Sequence, residues 1–491
     1  MGTISSALSL MSQALNADQA ALNVVANNVA NASTPGYTEE TPTWQENDPI
    51  LINGVSTGTG ATETGATSQR DRVLEERLNQ QQQLASASGS RLTALDSIQA
   101  LFTPDSGSSS STAGDIGSDI TSFFDSFSSL EAKPTDGSLR DAVLSSASTL
   151  AVDISNAAKS LNAQRSALDQ QTTGVASQVN ALTGAIAQLN TQIQSISPNA
   201  DAGTLEDQRQ LDLSQLSRLV GINQSSTEHN GLEITTTSGQ LLVSDGSNYQ
   251  LTSGNVGGVT HFFVGATDAT SQLASGGGSL GGDLTARDTD IPNALASLDQ
   301  LAYSVSTQVN SLNNAGTDAN GATGTAVASS TTGAKTLDIF SPPTTLVANT
   351  TSGGDDVSGA AAAMSVVMSD SSLVSAASLG QGTGDGSNAT AMANLANQTI
   401  VDGQTPSNFY SNFVSTLGST VSNVQTENTA QTASVTQLQT QNDALSSVNL
   451  NDEASAMTTL ERSYQAASQV FTMLNTMMNS ALNLGVETAV A

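Results

Sequence analysis

The chain contains no cysteine among its 491 residues, which excludes disulfides, thiolate metal centres and cysteine nucleophiles. Aromatic residues make up only 3%, so cores must be filled by Leu, Val, Ile, Met and Ala, a palette that suits helix bundles better than aromatic-rich sandwiches. Charged residues are 12%, about half the usual share of roughly 25%, which leaves Ser, Thr, Asn, Gln and Gly to cover the surface. Cations are scarcest: 13 Lys and Arg stand against 44 Asp and Glu, a formal net charge of −31 and a sequence pI near 4.1. Nucleic acid is a poor partner for such a chain, because phosphate neutralisation needs Lys and Arg, and anionic membrane surfaces are excluded on the same ground. No stretch approaches the roughly 18 consecutive apolar residues of a membrane span, so no membrane insertion is expected. The first residues lack a basic n-region and a compact apolar h-region, so a cleaved Sec signal is not expected either.

What the sequence does have is heptad order at both ends. Ile4, Leu8, Met11, Leu15, Asp18, Leu22, Val25, Val29 and Ala32 are spaced alternately four and three residues apart, a seam with one polar intruder, Asp18. Ala7, Ala14, Ala21 and Asn28 run beside it as a line of small side chains that permits close helix contact. The pattern stops at Asn31-Ala32-Ser33-Thr34-Pro35-Gly36-Tyr37, where Pro35 pushes Thr34 out of the helical region and Gly36 supplies a turn. Near the other end Met457, Leu460, Tyr464, Ala467, Phe471, Leu474, Met478 and Ala481 repeat the alternation, widened by Val470, Met477 and Leu484. A lone helix of this kind is marginal in water, so the two ends are expected to meet. Neither carries a cation over most of its length: the first is Arg70 and the last Arg462.

Between the ends the pattern changes several times. Thr38 to Gln69 reads as an extended connector with strand potential at Ile50 to Val55, and helical spacing resumes from Arg70 through Phe102. After a Ser/Gly-rich break at Thr103 to Gly117, Ile120, Phe123, Phe124 and Phe127 form an aromatic cluster at helical spacing. Val143 to Ile196 keeps heptad spacing with a phase interruption at Val175, a rod of about 80 Å if continuous. Gly174 and Gly184 weaken the case for an unbroken helix. From Gly221 to about Gly282 the period becomes strand-like, a helix is expected from Ile291 to Leu312, and Asn313 to Gly386 is a Gly/Ala/Ser/Thr tract with weak strand signals at Leu337 to Phe340. Met392 to Leu445 returns to helix and leads into the C-terminal heptads. The expected fold is α+β and multidomain: paired N- and C-terminal heptad helices and a long helical bundle, with β-rich outer domains inserted in the middle of the chain. The expected divisions are 1–69 (heptad helix and connector), 70–220 (helical domain), 221–287 (β-rich outer domain), 288–315 (helix), 316–390 (outer segment, a candidate second small β domain), 391–445 (helical return) and 446–491 (C-terminal heptad helix).

Motifs for chemistry are weak. Gly276, Gly278 and Gly281 match the dinucleotide spacing, but no β-branched strand leads directly into the first glycine, so a cofactor is not expected. His229 and His261 are the only histidines and stand far apart, which argues against a zinc site or a Ser/His/Asp constellation. Acidic clusters such as Glu39-Glu40 and Asp355-Asp356 read as solvated surface. Asn27, Asn28 and Asn31 are either a polar helix terminus or amides directed at neighbouring subunits; the second is preferred because Asn is a poor interior helix residue.

With these residues in view, the chain resembles the bacterial flagellar hook-associated protein 1 family. Ala26-Asn27-Asn28-Val29-Ala30-Asn31-Ala32-Ser33-Thr34-Pro35-Gly36-Tyr37 is similar to an N-terminal signature that rod and hook proteins share. The finer resemblance lies in Phe123 to Phe127 with Lys133-Pro134-Thr135-Asp136, Glu206 to Asp212, Gly281-Gly282-Asp283-Leu284 with Arg287-Asp288, and Val448 to Glu453 leading to Tyr464-Gln465-Ala466. It implies a non-enzymatic structural protein of the hook–filament junction, exported through the flagellar type III apparatus and located outside the cell. Its implied partners are further copies of itself, the hook protein, neighbouring junction or filament proteins, and an export chaperone at the C-terminal helix. Ile4, Leu8, Met11, Leu15, Leu22, Val25, Val29, Met457, Leu460, Tyr464, Phe471, Leu474 and Met478 are the expected subunit-packing residues. Another axial protein of the same machine, or a secreted enzyme or adhesin with its activity in Asn313 to Gly386, are the alternatives.

Overall fold

A computed structural model describes residues 2–52, 55–102, 115–197, 201–324, 337–342 and 357–487. Most of the Ser/Gly-rich break, Pro198 and Asn199, Asp355 and Asp356, and residues 325–336 and 343–356 of the Gly/Ala/Ser/Thr tract lie outside the described residues.

Helix α1 (Gly2–Asn31) ends in a turn where Thr34 N donates to Asn31 O (2.8 Å) and Tyr37 N to Thr34 O (3.2 Å). Gly36 takes φ +80° there, a conformation that a side chain would strain. The connector folds into ribbons: β1 (Glu40–Glu46) pairs antiparallel with β4 (Ala61–Ser68), and β2 (Ile50–Ile52) with β3 (Val55–Thr57). Three helices follow, α2 (Arg72–Ala100), α3 (Ile116–Ala132) and α4 (Gly137–Ile196). Asp71, Asp115 and Asp136 cap them by accepting from the first free backbone N–H groups.

Helix α4 runs 60 residues without a break, about 90 Å. The glycines do not interrupt it because buried neighbours anchor the helix around each: Thr172, Val175 and Ala176 near Gly174, and Thr183, Ile186 and Ala187 near Gly184. Packing outweighs the roughly 1 kcal/mol that each glycine costs. The phase shift at Val175 has a structural meaning. Val143 to Leu161 lie in one hydrophobic core, with α2, α3 and the later helices, whereas Val175 to Ala187 lie in a second core with the β-rich region.

That second core is closed by α5 (Thr204–Leu219) and two small antiparallel sheets. Strands β5 (Ile222–Ser226), β6 (Leu232–Thr236), β7 (Leu241–Ser244) and β8 (Ser247–Asn248) form a meander, and β9 (Leu251–Val256), β10 (Val259–Val264) and β11 (Thr267–Asp268) form the other sheet in the order β11-β10-β9. Helices α6 (Thr270–Gly276) and α7 (Gly278–Thr285) return the chain to α2, and a π-turn leads into α8 (Ile291–Ala315). The glycines of this passage serve close backbone approach. A Cβ on Gly221 would overlap the Gly276 carbonyl, one on Gly278 the Val220 backbone, and one on Gly282 the Ala87 carbonyl of α2. Arg91 grips Asp290 through two bonds of 2.8 and 2.9 Å, and Arg287 reaches Asp169 at 2.7 Å, tying α7 and its π-turn to α2 and α4.

The tract after α8 differs from a separate β domain among the described residues. Leu337, Ile339 and Phe340 are buried in the first core, and Phe340 makes only an isolated bridge to Val366. The physical reason is that α8 supplies the missing ladder. Asn310 accepts from Ile339 N and Phe340 N (3.0 Å each) and donates to Phe340 O (2.9 Å), while Asn313 donates to Leu337 O (2.6 Å) and accepts from Ser375 N (2.8 Å). The short α9 (Ala360–Ala363) and α10 (Ser387–Asn394) complete this core. Helix α11 (Pro406–Ser446) then lies along α2, and α12 (Leu450–Glu487) along α1.

Candidate assembly interface

The two ends of the chain do meet. Asn28, near the end of α1, donates to Glu453 Oε1, near the start of α12, at 2.9 Å. Helices of this length that touch along their course from that point must run antiparallel. The contact uses the small-residue line as much as the apolar seam: Ala17, Ala21, Val25 and Asn28 are the buried positions of α1. Ile4, Leu8, Met11, Leu15 and Leu22 are half-buried and Val29 is 40% exposed. On α12, Met457, Leu460, Phe471, Leu474 and Met478 are half-buried and Tyr464 is 37% exposed. Both helices therefore keep apolar surface that the chain itself does not cover.

Asn28 is the centre of the joint. Its amide donates to Glu453 and to Glu40 O (2.9 Å) and accepts from Tyr37 OH (2.8 Å) and Glu40 N (3.1 Å). All four capacities of a primary amide are used. Burial, with the carboxylates of Glu40, Asp207 and Glu453 nearby, pushes the Tyr37 phenol well above its ordinary range and keeps it a donor. Burial also raises Glu453, against the opposing hydrogen bond from Asn28. The other residues of the signature have local roles. Asn31 donates to Asn27 O and Oδ1 (3.0 and 2.8 Å), Thr34 Oγ1 donates to Asn31 Oδ1 (3.2 Å), and Ala26 and Pro35 are exposed.

The same joint binds the helix pair to the body. Thr38 N donates to Asp207 Oδ2 (3.2 Å), and Asp207 is held by the Arg70 guanidinium. Arg72 pairs with Glu206 at 2.9 Å. Ser68 N donates to Asp201 Oδ2 (2.6 Å), and Glu39 N donates to Ser446 O (2.9 Å) where α11 gives way to α12. Burial raises Asp207 despite Arg70, and burial raises Glu40 with Asp207 and Asp201 adding to it. Gly36 faces Leu211, where a Cβ would stand 3.5 Å from the leucine Cβ. Three stretches far apart in sequence, around Asn28, Asp207 and Glu453, thus converge on one place. Glu40, Arg70, Ser446 and Ala17 take part without being singled out by spacing, whereas Ala21 belongs to the small-residue line; Arg70 is marked only as the first cation of the chain.

Elsewhere, His261 and Asp268 face each other at 2.6 Å on a β-hairpin, and His229 occupies a left-handed turn with φ +55°. Among the described residues no group of three His, Asp or Glu is placed to hold a metal, and no helix is long and apolar enough to cross a membrane.

The chain thus has its two ends joined as a helix pair, with a helical core and a β-rich core formed by the residues between them. Residues 8–38 match the family described as flagella basal body rod protein, and residues 105–327 match the flagellar hook-associated protein FlgK helical domain. The chain is 25% identical to flagellar hook-associated protein 1 of Escherichia coli (strain K12), over 96% of this chain and 98% of that protein. It is equally 25% identical to the Bacillus subtilis (strain 168) protein of the same name, over 96% of each. The structure of the flagellar hook junction protein FlgK from Burkholderia pseudomallei has the same fold, with a TM-score of 0.61 and 19% identity, over 74% of this chain and 99% of that one. These likenesses are to the class of flagellar axial proteins. Within that class, the chain is similar over nearly its whole length to the flagellar hook-associated protein 1 family.

Proposed function

We propose that the protein is the structural unit of the junction between flagellar hook and filament, assembled by packing of its terminal helices between subunits. The observation that carries this reading is the α1/α12 pair, fixed at one end by Asn28 and Glu453 while its apolar seams stay half-covered. Surface of that kind is removed from water when copies pack around a common axis. In this reading Ile4, Leu8, Met11, Leu15, Leu22, Val25 and Val29 of α1, with Met457, Leu460, Tyr464, Phe471, Leu474 and Met478 of α12, pack between subunits. Segments 1–69 and 446–491 line an inner tube, and 70–220 with 391–445 surround it. The segments 221–287 and 316–390 face the medium. The protein works outside the cell, leaves it without a cleaved signal, is held by an export chaperone at α12 beforehand, and has no catalytic role. Absence of cysteine suits a chain that crosses an export channel unfolded.

A strain lacking this protein tests the proposal. It is expected to build hooks and to shed unassembled filament protein into the medium, and immunogold against the protein is expected to mark the hook–filament boundary in the parent strain. Normal filaments in the deletion strain, or label along hook or filament shafts, would overturn it.

A further inference from the structure

Helix α12 carries a second seam that α1 does not cover. Arg462, Ala466, Val470, Met473 and Met477 follow one another in steps of four and three residues. At about 100° per residue, Arg462 stands roughly 200° round the helix from Leu460, on the side away from α1. Val470, Met473 and Met477 are 43%, 59% and 52% exposed. Methionine-rich faces adapt readily to a partner surface. Helix α1 offers the counterpart in the half-buried seam that contains Asp18.

Each seam holds a single charge, and the two are opposite. Asp18 is the only charged residue of α1, and Arg462 is the only cation of α12. Neither makes an ion pair among the described residues. Their levels also agree. Asp18 precedes Asn28 by about 15 Å of helix, and Arg462 follows Glu453 by about 13.5 Å, so the antiparallel register set by Asn28 and Glu453 puts both charges at one height. The same register brings Met11, Leu8 and Ile4 level with Val470, Met473 and Met477.

We propose that this outer seam receives α1 of a second copy of the chain, with Arg462 paired to Asp18 of that copy. This rests on the assembly reading above and adds the contact that sets lateral register. Copies pointing the same way along a tube keep α1 of one antiparallel to α12 of the next, so no copy is inverted. Opposite charges in an otherwise apolar seam fix alignment more than they add affinity, since a slipped register leaves both unpaired.

The absence of native cysteine makes the test clean. Asp18→Cys with Arg462→Cys, oxidised in isolated flagella, is expected to give a ladder of covalent dimers and higher species, while either single variant stays monomeric. Monomer alone from the double variant, with the protein present in the flagella, overturns the proposal. Charge exchange is the second arm. Asp18→Arg and Arg462→Asp are each expected to lower incorporation about tenfold, and the two together to restore it; a double variant as poor as the singles overturns the pairing. Immunoblotting of the parent chain in the same flagella separates the failures. Its absence there defeats the junction assignment, whereas its presence without cross-links defeats only the seam.

Discussion

Asn28 and Glu453, 425 positions apart in the chain, share a buried hydrogen bond of 2.9 Å. Around it the two termini become one element, and through Tyr37, Glu40 and Thr38 that element is fastened to α5.

Replacing Asn28 by Ala orphans groups on three sides of the joint, namely Glu453 Oε1, Tyr37 OH and the Glu40 backbone. The expected loss is about 3 kcal/mol, seen as a lower midpoint in chemical unfolding. Asn28→Asp is expected to be worse, since a second carboxylate then faces Glu453. An Asn28→Ala protein as stable as the parent would show that the joint contributes little.

Arg70 is almost fully buried against Asp207 and Glu206. Arg70→Met leaves Asp207 without its cation and Glu206 with Arg72 alone, and breaking a buried pair in this way costs about 3 kcal/mol. Limited proteolysis is expected to cut the variant before residue 69 much faster than the parent. Identical cleavage rates would contradict the proposed clamp.

Leu474 faces α1, a helix with no cation at all. Leu474→Asp puts a charge in a seam that has nothing to balance it, at about 2 kcal/mol or more. Loss of swimming in soft agar and shedding of filament protein are expected. Normal swimming would contradict packing through this seam.

Asp119 on α3 supplies a pH test. Burial, then the neighbouring Asp153 carboxylate, pushes it up to about 7 from an ordinary 3.8. The folded chain therefore holds this proton where the unfolded chain has released it, and the group's contribution is full below about pH 4 and is lost as pH rises through 7. Asp119→Asn is expected to stabilise the protein by about 1 kcal/mol at pH 8, with solvent screening reducing the gain, and to make no difference at pH 4. Unfolding curves at the two values check it; equal effects at both would contradict the assignment.

Much of this was legible from periodicity. The helices at both ends, the long α4 with its phase shift, the aromatic α3 and the strands of the first part of the 221–282 region follow from spacing, because burial of one face imposes a period. The last part of that region, expected to be strand-like, is instead helices α6 and α7. What spacing does not carry is which face meets which partner. The apolar residues of α1 mark one seam, yet most of them are half-buried, and the buried positions are Ala17, Ala21, Val25 and Asn28, two of which lie on the small-residue line beside that seam. The joint was legible only as separate motifs: Asn28, Asp207 and Glu453 are unremarkable alone and acquire their roles from contacts across hundreds of residues. Leu337 to Phe340 carries a strand pattern but forms only an isolated bridge to Val366, and most of its backbone is held by the side chains of Asn310 and Asn313, a pairing that no local pattern announces.

The most direct test is a density map of isolated hook–filament junctions at a resolution that separates helices. The account predicts that α1 and α12 lie side by side around the central channel, joined at Asn28 and Glu453, with the β-rich middle of the chain outermost. Terminal helices found apart from each other, or on the outer surface with the β-rich region inside, would contradict it.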